Sequence, residues 1–152
     1  MSTFFDEGIL AHVGFGDPIC GPLSAALQQA GRAAGASVHV GGTYVCMEGP
    51  QFSTMSESRL YRQWEVDVIG MTNMPEAKLA REAELCYATV ALVTDYDCWH
   101  ETEEAVTVEA ILATLHKNVA LAKQMLKAVV PTLEPGQPCA CNHALRDAIV
   151  TA

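Results

Sequence analysis

Val66-Asp67-Val68-Ile69-Gly70-Met71-Thr72-Asn73-Met74-Pro75-Glu76 reads as a short buried strand, a loop and the first turn of a helix. Val66, Val68 and Ile69 supply β-branched apolar positions over residues 66–71. Pro75 needs no amide donor in a first helical turn, and Glu76 meets the positive end of the helix dipole there. That helix is expected to run to about Leu85.

The same alternation extends outward on both sides. Upstream, Leu23, Ala26, Leu27, Ala30 and Ala34 form a helical stripe over residues 22–34, closed by Gly35. Residues 36–46 carry Val38, Val40 and Val45 around Gly41-Gly42, which predicts a strand with a bulge or bend. Thr54-Met55-Ser56-Glu57 is a capping-box pattern, and a helix should follow to Trp64. Downstream, residues 88–94 are a continuous apolar run, as in a strand covered on both faces. A long helix over residues 103–130 then places Val108, Ile111, Leu112, Leu115, Val119, Ala122, Leu126 and Val129 on one face. Glu101, Glu103 and Glu104 lie at its start and Lys117, Lys123 and Lys127 toward its end. Asn142 should cap a short last helix ending near Ile149. This order predicts an α/β layer structure with a mixed or parallel sheet flanked by helices. Three fully buried strands leave a sheet edge open, so exposed apolar surface is expected.

The bulk properties set outer limits. A chain of 152 residues, 50% hydrophobic, fits one domain with its own core. Nine basic and eighteen acidic residues leave a formal charge of −9, which argues against a nucleic-acid partner. Residues 88–93 are the longest apolar run and are too short to span a bilayer, and the first residues lack a signal-peptide pattern. A cytoplasmic protein without a membrane partner is expected. Cys20, Cys46, Cys86 and Cys98 sit singly beside apolar segments and read as buried reduced thiols. Cys139-Ala140-Cys141 pairs two thiols in a Pro/Gly-rich stretch, open to disulfide formation; without further Cys or His spacing it does not read as a metal site.

Three loops after apolar runs hold the chemistry: Glu48-Gly49-Pro50-Gln51-Phe52-Ser53, Gly70 to Glu76, and Thr94-Asp95-Tyr96-Asp97. They gather an aromatic face, a thioether, hydroxyls and two carboxylates, a set suited to a purine nucleoside. Each residue also has a plain structural reading. Asp95 and Asp97 suit a turn, Phe52 and Met71 suit a core, Thr72 suits a helix cap, and His12 suits a satisfied structural histidine.

Taken together, the blocks STFF, GTYVCMEGPQFST, YRQWEVDVIGMTNMPEAKLARE and ATVALVTDYDCWHETEEAV resemble the C-terminal part of the S-methyl-5′-thioadenosine phosphorylases, within the purine nucleoside phosphorylase superfamily. The resemblance runs over nearly the whole chain. It implies phosphorolysis of 5′-methylthioadenosine to adenine and 5-methylthioribose-1-phosphate, with phosphate as co-substrate and no metal or organic cofactor. It further implies that Asp95 is the acid at purine N7 and that Asp97 is a second adenine contact. To donate to N7, Asp95 must carry a proton, which burial and nearby carboxylates would favour. By the same resemblance Phe52 covers the purine face, Met71 lies beneath the ribose and Thr72 contacts phosphate. His12 would close the 5′ end of the pocket of a neighbouring subunit, which implies a homotrimer.

Specificity residues follow from the comparison with 6-oxopurine relatives. Those carry Glu after the Phe, Asn at the place of Asp95 and His at the place of Val108. Ser53, Asp95 and Val108 here match an adenine base and an apolar 5′-methylthio group instead. The same three residues count against a 6-oxopurine phosphorylase, and the motif set counts against a hydrolytic nucleosidase.

The chain departs from the family in one respect. A Gly-Gly-Thr-Gly-type loop, an Arg-His pair and a Thr-Ala-containing strand end, which make most of the family's phosphate site, have no counterpart here. The expectation is a single phosphorylase domain, residues 1–152, lacking its N-terminal strands and weak or inactive in phosphorolysis. A non-catalytic adenine-nucleoside-binding fragment or pseudoenzyme subunit is the alternative.

Overall fold

The computed structural model describes residues 2–100 and 107–151. Its elements are α1 (Gly21–Ala33), β1 (Tyr44–Cys46), α2 (Met55–Gln63), β2 (Val68–Gly70), α3 (Glu76–Glu82) and α4 (Val108–Val129), with short 3-10 turns at Val130–Thr132 and Ala140–His143.

β1 and β2 form a parallel pair in the register Tyr44↔Val68, Val45↔Ile69 and Cys46↔Gly70. The Met47 amide prolongs it by donating to the Gly70 carbonyl at 2.9 Å. The strand expected over 36–46 is thus paired only in its last three residues. Gly41 and Gly42 adopt φ of +79° and +99°, outside the extended region, so the chain turns there before pairing begins. Residues 88–94, expected as a strand, form none. No described segment pairs with them, and Val90, Leu92 and Val93 are exposed. An apolar run holds strand geometry only beside a neighbour that takes up its amides and carbonyls.

The helices follow the sequence more closely. Thr54 and Glu57 complete the expected capping box: the Thr54 hydroxyl accepts from the Glu57 amide, and the Glu57 carboxylate accepts from the Thr54 amide at 2.7 Å. α4 begins later than expected, with Thr107 as N-cap and its hydroxyl accepting from the Ala110 amide. Glu101, Glu103 and Glu104 lie outside the described residues. The buried stripe of α4 is Met125 and Val129, four residues apart, while Leu112 and Leu126 of the expected face are exposed. Met125 and Val129 pack with Ala30 of α1, flanked by Ala26 and Leu27. Gly31 allows this close approach: a Cβ there would stand 3.0 Å from Val38 Cγ2 and 3.3 Å from Met125 Sδ.

In place of the expected last helix there is one 3-10 turn at Ala140–His143, a run of turns over residues 144–148 and then a short extended end. That end returns to the beginning of the chain. Ala11 and Ile149 form an antiparallel bridge, His12 N–H donates to the Ala148 carbonyl at 2.8 Å, and Val150 N–H donates to the Leu10 carbonyl at 2.9 Å. No helix among the described residues is long and apolar enough to cross a membrane.

Candidate active site

The three loops singled out in the sequence meet. β1 ends at Cys46, so the loop 47–54 leaves the sheet beside the loop that follows β2. Gly49 is the hinge of that approach. Its φ is +69°, and Met71 Sδ lies 2.6 Å from the position a Cβ would take, so the thioether fits only against a bare α-carbon. Cys46, Met47, Glu48, Met71, Met74 and Pro75 line a hollow of about 490 Å³ between the two loops. Three methionines there give a soft apolar wall. Thr72 follows on the same loop and is exposed.

The third loop is fastened to the first. Ser53 Oγ donates to both oxygens of Asp97, at 3.2 and 3.3 Å. The Cys98 amide donates to Asp97 Oδ1 at 2.8 Å. Partial burial by itself would raise the Asp97 pKa. The nearby Ser58 hydroxyl and the hydrogen bonds from the Cys98 amide and Ser53 outweigh it and hold the carboxyl below its ordinary value. Ser58 is fully buried, and its hydroxyl has no hydrogen-bond partner of normal geometry among the described residues, so its effect on Asp97 is a nearby dipole and not a formed bond. The Arg62 guanidinium of α2 lies 3.6 Å from the centre of the Trp99 ring, a second tie between α2 and this segment. Tyr96 stacks on His100 with ring centres 4.5 Å apart.

Asp95 is exposed, and Oδ1 accepts from the Thr94 hydroxyl at 2.6 Å. The burial expected for it is absent in the chain alone, because the apolar run 88–93 leading to it is itself uncovered. Phe52 is 86% exposed, a ring presented to solvent with no core role. His12 is exposed and lines a second hollow of about 310 Å³ with Ala11, Val13, Phe15, Lys78 and Arg81; Ser2 borders both hollows. The side chain of Val108 lies outside the described residues.

The sequence left Cys46, Met47 and Met74 out of the site, although each neighbours a named residue. It also missed Ser58, which Thr54 foreshadows one helical turn earlier. A larger omission concerns the thiols, of which the sequence reading pairs only Cys139 and Cys141. Cys20, Cys86, Cys139 and Cys141 converge, with all four sulfurs within 4.8 Å of one another.

The joined loops thus carry a carboxylate held below its ordinary pKa, an exposed aromatic ring and, between the first two loops, a thioether-lined hollow. Residues 2–131 match the Phosphorylase superfamily, and the chain belongs to that family. Among its relatives is the S-methyl-5′-thioadenosine phosphorylase of Koribacter versatilis (strain Ellin345), 58% identical over 151 residues that cover 99% of this chain and 52% of that protein. A solved methylthioadenosine phosphorylase from an antarctic soil metagenomic library superposes with a TM-score of 0.91 at 49% identity, covering 100% of this chain and 54% of that one. The methylthioadenosine phosphorylase of Schistosoma mansoni in complex with adenine gives 0.84 at 28% identity, covering 99% and 61%. The nucleoside-phosphorylase-like α/β architecture read from the sequence is the observed one. The chain spans about half the length of the relatives it matches.

Proposed function

We propose that residues 1–152 are one portion of a single phosphorylase domain that cleaves 5′-methylthioadenosine with phosphate, giving adenine and 5-methylthioribose-1-phosphate. The observation that carries this reading is the Ser53–Asp97 hydrogen bond, which brings the loop bearing Phe52 against the loop bearing both carboxylates. Phe52 covers the purine, and an ionised Asp97 accepts from groups on its edge. Asp95 assists departure of the base at N7, where negative charge builds as the glycosidic bond breaks. Met71 underlies the ribose. Thr72 contributes to phosphate binding beside a helix start. Ser53 and Val108 favour adenine and the methylthio group over 6-oxopurine nucleosides. The names of the relatives, and the adenine held by the Schistosoma mansoni enzyme, support the same substrate.

Exposed Val90, Leu92 and Val93 support further sheet neighbours in the working enzyme. His12, at the rim of a separate hollow, suits a contribution to a neighbouring subunit's pocket in a homotrimer. The protein works in the cytoplasm, with phosphate as co-substrate and no organic cofactor.

Thr72 is the one phosphate contact we assign here. Phosphorolysis depends on holding phosphate beside the ribose carbon, so the 152-residue chain alone should turn over slowly. Binding calorimetry with methylthioadenosine, with and without phosphate, tests the reading. Methylthioadenosine should bind, and phosphate should strengthen it little. An equal preference for inosine, or no nucleoside binding at all, would overturn it.

A further inference from the structure

We propose that Cys20, Cys86, Cys139 and Cys141 form a structural zinc site. The proposal is independent of the nucleoside reading, because none of the four belongs to the three substrate loops.

All four sulfurs lie within 4.8 Å of one another, and Cys20 Sγ and Cys139 Sγ are 3.7 Å apart. Zinc binds thiolate at about 2.3 Å, which sets the sulfur–sulfur edges of a tetrahedron at about 3.8 Å. The Cys20–Cys139 pair is already at that separation, and no other pair needs to contract by more than about 1 Å. Four soft sulfur donors with no oxygen or nitrogen among them select zinc over magnesium, calcium or manganese. Protein donors would fill every coordination position, so the site has a structural and not a catalytic form.

The backbone already gathers the donors. Cys20 is the N-cap of α1, and its amide donates to the Tyr87 carbonyl at 2.7 Å, which fixes Cys20 beside the segment bearing Cys86. Cys139 caps the 3-10 turn Ala140–His143, and Cys141 lies within that turn. The Asn142 amide donates to the Cys139 carbonyl at 3.1 Å, holding the two thiols on one turn. Cys20 and Cys141 are buried, whereas Cys86 is exposed and Cys139 half-buried, so an ion can enter from solvent.

The cluster also lies where the fold is thin. Cys20 and Cys141 are themselves two of the few buried apolar residues, with Ala30, Ala77, Met125, Val129 and Ala148. Small cores are commonly supplemented by a metal or by covalent staples. Binding would replace the four thiol protons with one Zn²⁺, release four protons to solvent and leave a unit of net charge −2. The ion would join the start of α1, the segment after α3 and the 3-10 turn Ala140–His143.

The test is metal analysis of the full chain purified under reducing conditions, followed by cobalt replacement. We expect one zinc per chain and, with Co²⁺, the sulfur-to-metal charge-transfer band and intense visible bands of a tetrahedral four-thiolate site. Cys86→Ser, at the exposed donor, should shift those bands toward a three-thiolate spectrum. Cys98→Ser, outside the cluster, should leave them unchanged. If Cys86→Ser does not fold, chelator release of zinc from the unmodified chain, with four thiols becoming reactive together, serves in its place. Zinc at trace level with no cobalt spectrum would overturn the proposal. So would iron in place of zinc, or mass spectrometry finding these cysteines joined as disulfides.

Discussion

The Ser53 hydroxyl bridges both oxygens of Asp97, at 3.2 and 3.3 Å, across 44 residues of sequence. This contact fastens the loop after β1 to the segment after residues 88–94. Ser53→Ala removes it and leaves a partly buried carboxylate with fewer donors. A hydrogen bond to a charged group contributes about 1.5–3 kcal/mol, and partial exposure places the expected loss near the lower end. Urea denaturation should show a lower midpoint with an unchanged slope. Calorimetry should show weaker methylthioadenosine binding.

Asp97 and Glu57 are both held below their ordinary pKa values. For Asp97, burial acts upward but is outweighed by the nearby Ser58 hydroxyl dipole and by hydrogen bonds from Cys98 and Ser53; for Glu57, the Thr54 amide and hydroxyl lead. With folded-state values depressed, the unfolded chain binds more protons in the acid range. Their contribution is therefore fully present above the ordinary carboxylate range of about 4 and is lost as pH falls through the depressed values. Acid titration followed by circular dichroism should show stability falling below about pH 4. Asp97→Asn should flatten that dependence while lowering stability at neutral pH.

Phe52→Ala separates binding from folding. The ring is 86% exposed, so its loss should move stability by no more than about 0.5 kcal/mol. An aromatic pair contributes about 0.5–1.5 kcal/mol beyond area burial, so methylthioadenosine affinity should fall by about 2- to 12-fold. Calorimetry and a thermal melt on one sample check both halves.

Gly49→Ala attacks the hinge. A side chain at φ +69° costs about 1–2 kcal/mol, and the new Cβ would meet the Met71 sulfur. The expected result is a lower thermal midpoint together with weaker nucleoside binding. Ala at Gly136, also at positive φ but with open space around it, should show the backbone penalty without the binding loss.

The helices were legible because their signals are local. Thr54 and Glu57 specify a capping box within four residues, and Pro75-Glu76 marks a helix start unaided by tertiary contacts. The strands were legible only in part, since pairing depends on partners elsewhere: residues 66–71 hold β2, and residues 36–46 are paired only over Tyr44–Cys46. Residues 88–94 have strand composition but no described neighbour, and residues 36–43 are bent away by Gly41 and Gly42. The candidate site loops stand out in the sequence because Phe52, Ser53, Met71 and Asp97 combine unusual residue types at loop positions, while the role proposed for each comes from the family resemblance. The thiol cluster could not: Cys20, Cys86 and Cys139 come from widely separated segments, and only the Cys139–Cys141 pair is visible in one window.

The bridge between Ala11 and Ile149 has a practical consequence for anyone altering this chain. The Thr151 hydroxyl accepts from the Leu10 amide at 2.9 Å, so the last residues splint the segment that carries His12. Deleting from Ile149 onward would remove no residue that lines the second hollow, yet it would loosen the strap that presents His12 to it. The placement of a histidine near one end of the chain is thus under the control of residues at the other.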